Sequence, residues 1–350
     1  MELGNLSLLR ELCETIGVPG REERVRAIVR RELEPLVDEV RVDALGNLIA
    51  LRRGTSGKRL AINAHMDEIG YLVTHVEEGG FLRLNPLGGH DPRNMVAQRV
   101  LVQGARDLTG LLYPGQKPPH LQNPEDRDKI AKLPEFYVDL GLPEAEVKEL
   151  VPVGSPVVIH RELAEVGHSV TCKAMDNRIA CFVMIEAMRR TRTAGFDVYA
   201  VATVQEEVGC RGALTSSFGI EPHVGIAIDV TIAADIPGVP RQDRTTALGE
   251  GTAIKIMDSF SISNPALVAR LRSLAEARRI PHQMEILRSG GTDAGSLQRV
   301  RTGCPAGTLS VPCRYVHSSL EMCHKGDIEA SIALMAAFIE EGHDQDYWPE

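Results

Sequence analysis

Two near-continuous apolar runs constrain the fold of this chain more than any other feature. They are VYAVATV at residues 198–204 and VGIAIDV at residues 224–230. A strand with one face in water alternates apolar and polar residues, whereas a strand of a parallel sheet is covered by helices on both faces and stays apolar. Both runs therefore predict buried strands in the interior of an α/β protein.

The segments around these runs continue an alternation of strand and helix. RLAINAH at residues 59–65 has the pattern of a further strand. Apolar residues recur at helical spacing in 176–190, 211–218, 264–279 and 327–341, and again in 5–34, where GVPG breaks the pattern into two helices. We therefore predict an α/β fold, a mostly parallel sheet flanked by helices.

The stretch from 70 to 162 interrupts this alternation. It contains ten of the twenty prolines of the chain, together with short β-like runs such as RVLVQG and PVVIH. Proline at this density is incompatible with long helices and with central strands. We predict a smaller β domain inserted at residues 70–162, so that residues 1–69 and 163–350 form one discontinuous larger domain.

Composition narrows the classes of partner and the compartment. The formal net charge is −9, and no block of Lys or Arg stands apart from the interspersed acids, which argues against nucleic acid or an anionic membrane as a partner. The amino terminus lacks the pattern of a secretory signal, and no run approaches the ~20 apolar residues of a membrane span. Seven cysteines without a C-x-x-C pair predict free thiols in a reducing cytoplasm.

Acidic and imidazole side chains lie at the carboxyl ends of the predicted strands. Ligands of open α/β sheets bind outside this edge. HMDEIG follows the strand at 59–65, QEE follows the strand at 198–204, and a further β-like run leads to YVHSS. The side chains that these segments bring to one edge, together with an aspartate that opens a helix, are His65, Asp67, Asp176, Glu206, Glu207, Asp229 and His317.

Five of these residues have the composition of a centre for two metal ions: His65, Asp176, Glu207, Asp229 and His317. Mixed nitrogen and oxygen ligands suit zinc, cobalt or manganese better than magnesium. A single catalytic zinc ordinarily takes three protein ligands, whereas five ligands can hold two ions when one carboxylate bridges them. A short aspartate on a tight turn suits the bridging position.

The same hypothesis accounts for the adjacent glutamates. An isolated buried carboxylate costs several kcal/mol, roughly, unless a cation meets it. Glu207 would face such a cation, and Glu206 would remain free to act as a general base toward water. Each residue also has an ordinary interpretation, since Asp176 could be a helix N-cap and the glutamates the start of a solvated loop. Five such residues at successive strand ends favour the joint interpretation.

The chain resembles the tetrahedral (TET) aminopeptidases, cytosolic dinuclear metallopeptidases that include glutamyl and deblocking aminopeptidases. The motifs that carry the resemblance are AHMDEIG (64–70), CKAMDNR (172–178), VQEEVG (204–209), IAIDV (226–230), SGGTDAG (289–295) and RYVHSSLEM (314–322). Cys210 and the CHKGD segment (323–327) depart from the expected pattern, although neither contains a proposed ligand.

The resemblance implies a role for each site residue. One metal would be held by His65 and Asp229 and the other by Glu207 and His317, with Asp176 as the bridge. Glu206 would be the catalytic base and proton shuttle, and Asp67 would orient His65. A cis peptide bond after Asp176 is also implied.

The resemblance further implies the activity and the assembly. Residues 1–69 and 163–350 would be the catalytic metallopeptidase domain, and residues 70–162 a dimerisation domain through which dimers build a hollow dodecamer. The expected substrates are short peptides, the expected cofactors are two divalent ions per subunit, zinc in the first place, and the expected location is cytoplasmic.

Two other functions are compatible with parts of the pattern. A pair of carboxylates could hydrolyse glycosidic bonds, as in an endoglucanase, but such sites hold their carboxyl groups ~5 Å or more apart across a sugar, whereas Glu206 and Glu207 are adjacent. Sugar-binding clefts also favour aromatic side chains, and this chain has one Trp and only 4% aromatic residues. A non-catalytic assembly protein could keep a structural metal centre, but it would have no use for a free base such as Glu206.

Overall fold

The structure is a computed structural model that describes residues 3–123 and 129–348. Pro124, one of the prolines of the predicted insert, lies outside the described residues. The helices are α1 (Leu6–Glu14), α2 (Glu23–Leu33), α3 (Pro92–Met95), α4 (Glu144–Leu150), α5 (Met175–Arg190), α6 (Arg211–Ile220), α7 (Pro265–Arg278), α8 (Asp293–Gln298) and α9 (Lys325–Glu341).

The strands divide between a large sheet and a barrel. The sheet contains β1 (Glu39–Val42), β2 (Leu48–Arg52), β3 (Arg59–His65), β10 (Ala164–Val166), β11 (Ser169–Cys172), β12 (Asp197–Thr203), β13 (Val224–Ile232), β14 (Thr252–Met257), β15 (His282–Ile286), β16 (Ala306–Arg314) and β17 (Glu321–His324). The barrel contains β4 (Gly70–Val76), β5 (Leu82–Leu87), β6 (Gln98–Gln103), β7 (Asp107–Pro114), β8 (Phe136–Asp139) and β9 (Pro156–Ile159).

The predicted α/β fold is confirmed. Strands β12, β3, β13 and β16 lie side by side and parallel at the centre of the large sheet. Strand β2 pairs antiparallel with β12 on one side of this centre, and β17 pairs antiparallel with β16 on the other. Strand β1 pairs antiparallel with β2 and forms the edge of the sheet. The two apolar runs are the central strands β12 and β13, and their residues are buried almost throughout.

The core of the large unit lies between this sheet and its helices. Helix α5 packs against β3, β13 and α9, and thirteen of its sixteen residues are buried. Its buried side chains, Ile179, Phe182 and Met184 among them, join one cluster with Ile62 of β3 and Ile226 of β13. A helix buried on nearly all sides is held rigidly, and the first turn of α5 carries Asp176.

The barrel is closed in the order β4-β5-β8-β7-β6-β9 and has its own core. In β7, buried and exposed residues alternate along the strand, as expected for a wall with an interior and an exterior. A small apolar cluster of Ile16, Val18 and Val158 connects the barrel to the segment between α1 and α2. The barrel thus stands next to the carboxyl end of β3, where the chain enters β4.

In the part of the chain that the structure describes, no helix combines the length and apolarity needed to cross a membrane.

Candidate metal centre

The site residues predicted from the sequence lie at one edge of the large sheet. His65 is the last residue of β3, and Glu206 and Glu207 follow β12 by three and four residues. Asp229 lies within β13, and His317 follows β16. Because β3, β12, β13 and β16 are parallel neighbours, their carboxyl ends meet, and these side chains converge although they are far apart in sequence.

Asp176 reaches the same edge from a helix. It is the second residue of α5 but has extended backbone dihedral angles, φ −74° and ψ 105°, so it turns away from the helical path. The peptide bond between Asp176 and Asn177 is cis, as the resemblance implies. The amide of Asn177 donates a hydrogen bond to the carbonyl of Ile228 at 2.9 Å, which ties the start of α5 to β13 beside Asp229.

The two oxygens of Asp176 face the two histidines. Oδ1 lies 3.3 Å from Nε2 of His65, and Oδ2 lies 3.3 Å from Nε2 of His317. Around His65, Oδ1 of Asp229 lies 3.8 Å from the same Nε2. Around His317, Oε2 of Glu207 lies 3.4 Å from Nε2. The centre therefore has two halves that share one aspartate, and each half offers one imidazole and a second carboxylate.

Glu206 stands at the edge of the half that contains His65. Its Oε2 lies 3.8 Å from Nε2 of that histidine. Ligand atoms of His65, Glu206 and Asp229 lie within 4.8 Å of one another, as do those of His65, Asp176 and Glu207. Glu206 therefore lies as close to His65 as Asp229 does, and farther from it than Asp176.

Asp67 supports the centre in two directions. Its backbone carbonyl lies 3.0 Å from Nδ1 of His65, whereas its Oδ1 lies 3.5 Å from the same nitrogen. Its carboxylate accepts hydrogen bonds from the backbone N–H groups of Glu206 at 3.1 Å and Glu207 at 3.0 Å. Asp67 therefore contacts both the histidine and the turn that carries the adjacent glutamates.

The electrostatics of the centre are those of crowded, buried carboxylates. Burial, opposed by the His65 ring and reinforced by the Asp229 carboxylate, raises the pKa of Glu206 well above its usual value. Burial likewise raises the pKa of Asp229. Burial acts in the same direction on Asp176, but hydrogen bonds with His317 and His65 outweigh it and lower the pKa of that carboxyl. A nearby cation would offset the repulsion between these neighbouring carboxylates and the cost of burying their charges.

The donor set fits divalent cations. Among the described residues, three carboxylates pair within 4.0 Å with histidines alone: Asp176, Glu207 and Asp229. None of the three pairs with a Lys or Arg side chain of these residues. Oε1 of Glu207 is buried and has no hydrogen-bond partner among them. A buried carboxylate oxygen without a donor costs free energy that a bound cation would recover.

Glu321 is a residue of the centre that strand-end reasoning missed. Its carboxylate is buried and accepts hydrogen bonds from the backbone N–H of Asp176 at 2.9 Å and from that of His317 at 2.7 Å. It therefore fixes the residue shared by the two halves and the histidine of the second half. The sequence signal was its place four residues after His317, at the start of β17.

Strand-end reasoning also missed a cluster of buried side-chain ion pairs next to the centre. Glu68 pairs with Nζ of Lys173 at 2.6 Å and with Nη2 of Arg178 at 3.2 Å. The Arg178 guanidinium is fully buried and also donates to the carbonyl of Met66 at 2.6 Å. These contacts fix the turn after β3 against the start of α5, and so hold His65 and Asp176 in their relative positions.

The centre opens into a cavity of about 570 Å³. The cavity is also lined by the apolar side chains of Ile232, Phe260 and Leu287, and Gly290 and Gly291 lie beside the last two of these. The glycine-rich segment SGGTDAGS therefore borders the cavity before it enters α8. A cluster of acids and imidazoles at the base of a partly apolar cavity is the usual form of a catalytic site.

Comparison with known proteins identifies the family. The profile of M42 glutamyl aminopeptidases matches residues 46–334. The lysyl aminopeptidase of Pyrococcus furiosus is 36% identical over 98% of this chain and 99% of its own length. The structure of a TET aminopeptidase from a marine-sediment Thaumarchaeota archaeon is 34% identical, covers 96% of each chain and superposes with a TM-score of 0.93.

A further solved relative is the TET1 peptidase of Pyrococcus horikoshii, which can assemble into a tetrahedron or a large octahedral shell. It is 31% identical over 96% of this chain and 99% of its own, with a TM-score of 0.85. The predicted resemblance to the TET aminopeptidases is thus confirmed by sequence and by structure. The fold, the matched span and these relatives together show that this chain belongs to the M42 glutamyl aminopeptidase family of peptidases.

Proposed function

We propose that this chain is a dinuclear metal-dependent aminopeptidase that removes amino-terminal residues from short peptides. The observation that carries the proposal is the position of Asp176, whose two carboxylate oxygens each lie 3.3 Å from a different histidine. A carboxylate placed in this way suits a bridge between two cations. The aminopeptidase relatives support the class of reaction.

The residues divide into two sets of ligands. His65 and Asp229 would hold one ion, His317 and Glu207 the other, and Asp176 would contact both. Zinc is the ion that this donor set favours most, and cobalt and manganese fit the same ligand types. When bound, the two ions would polarise the scissile carbonyl group and make water nucleophilic at neutral pH.

Glu206 would handle the proton. It borders the cavity and stands next to the cluster without being needed as one of the five ligands. From this position it could accept a proton from the attacking water and return it to the departing amine. Asp67 would position Glu206, because its carboxylate accepts a hydrogen bond from the backbone N–H of Glu206.

The cavity suits the amino end of a peptide. It is lined by the carboxylates of Asp176, Glu206, Glu207 and Asp229, and Lys255 also borders it. Two bound divalent cations would balance the charge of these carboxylates, and the free α-amine of a peptide would be a ligand for one of them. The geometry is less suited to a polysaccharide, because among the described lining residues Phe260 is the one aromatic ring besides the two histidines.

The variant Glu206→Gln tests the assignment of the base. It should keep its full content of divalent cation, measured by elemental analysis, while hydrolysis of an aminoacyl-nitroanilide falls by about 100-fold or more. Glu149→Gln, at an exposed position of α4, is the matched control and should keep both properties. Full activity of Glu206→Gln would refute the assignment.

The same substitution separates the alternatives. Hydrolysis of soluble cellulose that depends on Glu206 would instead support a glycosidase. Failure of the unmodified chain to hydrolyse any aminoacyl substrate with added zinc, cobalt or manganese would favour a non-catalytic metal centre.

We also propose that residues 70–162 act as a dimerisation domain and residues 1–69 and 163–350 as the catalytic domain. The support lies in the barrel surface, where Leu111 and Tyr113 of β7 are 58% and 45% exposed. Exposed apolar side chains on one strand face are typical of a protein interface. The shells formed by the P. horikoshii relative, and the dodecamer of a further solved relative, make assembly beyond the dimer the expected outcome, with a dodecamer as its expected size.

A further inference from the structure

Cys210 occupies a position in the cavity for which the two-ion centre has no use. It directly precedes α6, has a left-handed backbone conformation with φ 50°, and borders the cavity. Its thiol donates a hydrogen bond to Oε1 of Glu206, with a separation of 3.1 Å. The oxygen that it contacts is not Oε2, which faces His65. Glu206 thus has one oxygen toward the two-ion centre and one toward the thiol.

Asp293 approaches the same point from another element. It is the first residue of α8 and its side chain is almost completely buried. Its Oδ2 accepts a hydrogen bond from the hydroxyl of Thr203 at 2.6 Å. Its Oδ1 is buried and has no hydrogen-bond partner among the described residues. A buried carboxylate oxygen in this state has a free coordination position.

Glu206, Cys210 and Asp293 together form a third set of potential metal ligands. One ligand atom from each lies within 4.8 Å of the other two. Two of the three residues, Cys210 and Asp293, belong to neither half of the two-ion centre. The set combines one sulfur with two carboxylate oxygens, which suits thiophilic cations of the zinc group and disfavours magnesium and calcium.

We propose that Glu206, Cys210 and Asp293 bind an additional, inhibitory divalent cation of the zinc type. On binding, the thiol releases its proton to solvent and the sulfur donates an electron pair to the cation, with no change of oxidation state. The cation also engages Glu206, so this residue can no longer accept a proton from water. Inhibition rests on the proposed peptidase function, whereas the binding of the cation does not.

The experiment uses cadmium as the probe, because a cadmium–thiolate bond absorbs in the ultraviolet. Cd²⁺ is titrated into the full-length protein already loaded with its two cations. We expect a thiolate absorption that saturates with one additional cation per chain. Cys210→Ser should abolish this absorption, and Asp293→Asn should weaken the binding by about tenfold or more.

Cys304→Ser is the matched control. Cys304 is as buried as Cys210, with 7% against 6% exposure, but its thiol contacts the backbone carbonyls of Pro222 and Pro305. This variant should keep the absorption. An absorption that persists in Cys210→Ser, or none in the unmodified protein, would overturn the proposal and leave the thiol as a hydrogen-bond donor to Glu206 only.

Hydrolysis is measured in the same titration, and the rate of each protein is referred to its own rate without cadmium. The unmodified protein should lose activity as the absorption rises, with kcat reduced rather than KM increased, and Cys210→Ser should resist. Equal inhibition of both proteins would overturn the inhibitory role. If the absorption behaves as expected in a protein without peptidase activity, the additional site stands and the proposed function fails.

Discussion

At the scale of single residues, Glu321 shows how strongly the centre depends on groups that are not ligands. Each of its carboxylate oxygens accepts one backbone N–H, from Asp176 and from His317. A carboxylate can accept on both sides, whereas a glutamine side chain accepts through its oxygen and donates through its nitrogen. Replacing Glu321 by glutamine therefore sets a donor against a donor on one side.

We expect Glu321→Gln to lower the affinity for divalent cations by about 10- to 100-fold, the usual range for residues that orient ligands. Competition with a chromophoric chelator measures this directly. The control is Glu329→Gln on α9, which removes an exposed ion pair with Arg190 of α5 and should leave the affinity unchanged. An affinity of Glu321→Gln equal to that of the unmodified chain would show that Glu321 does not position the ligands.

How much of the site can be predicted from the sequence depends on where each residue lies. His65, Glu207 and Asp229 lie at or near strand ends, so the order of strands suffices to bring them together. Arg178 and Glu321 could not be placed in this way, because most of their partners are backbone groups, which leave no trace in the residue pattern. The pairing of Arg178 with the Glu68 side chain depends on the fold.

At the scale of elements, helix α6 must approach the end of β12 closely, and Gly212 in its first turn permits this. A Cβ atom on Gly212 would lie 2.3 Å from Oδ1 of Asn47 and 2.4 Å from the carbonyl oxygen of Val204. The carbonyl oxygen and the nitrogen of Val204 belong to the backbone, which cannot move aside cheaply. Gly219, near the end of the same helix, has no heavy atom within 4 Å of the corresponding position.

The two glycines form a matched pair for a stability measurement. Gly212→Ala should lower the free energy of unfolding by about 2 kcal/mol or more, because overpacking shifts the helix against β12. Gly219→Ala should leave it unchanged or raise it by up to about 1 kcal/mol, since alanine has the higher helix propensity. Urea denaturation of both variants gives the comparison, and equal stabilities would contradict this account of the packing.

The elements themselves were predictable to different degrees. The central strands β3, β12 and β13 were found because burial on both faces leaves a continuous apolar run. Strand β10 was not found, because its three residues are exposed and their pairing with β11 is decided by tertiary contacts. The barrel strands were anticipated as a group by proline content, but their closed order depends on pairings that the sequence does not reveal.

At the scale of the whole molecule, the account predicts an assembly that depends on the barrel. The double variant Leu111→Glu and Tyr113→Glu places two charges on the exposed face of β7. We expect its mass in solution, measured by native mass spectrometry, to fall below that of the unmodified assembly while the fold remains intact.

The matched control for this assembly test is Val42→Glu. Val42 is an apolar residue of β1 with 43% exposure and lies outside the barrel. This variant should keep the unmodified mass. A double variant that assembles normally would show that the barrel face is not the interface.

The central claim is that two cations share Asp176. Anomalous X-ray scattering from crystals of the zinc-loaded protein tests it most directly. The account predicts two anomalous peaks per chain, one beside His65 and Asp229 and the other beside His317 and Glu207, with the Asp176 carboxylate between them. A single peak at this centre, or no peak within coordinating distance of Asp176, would contradict it.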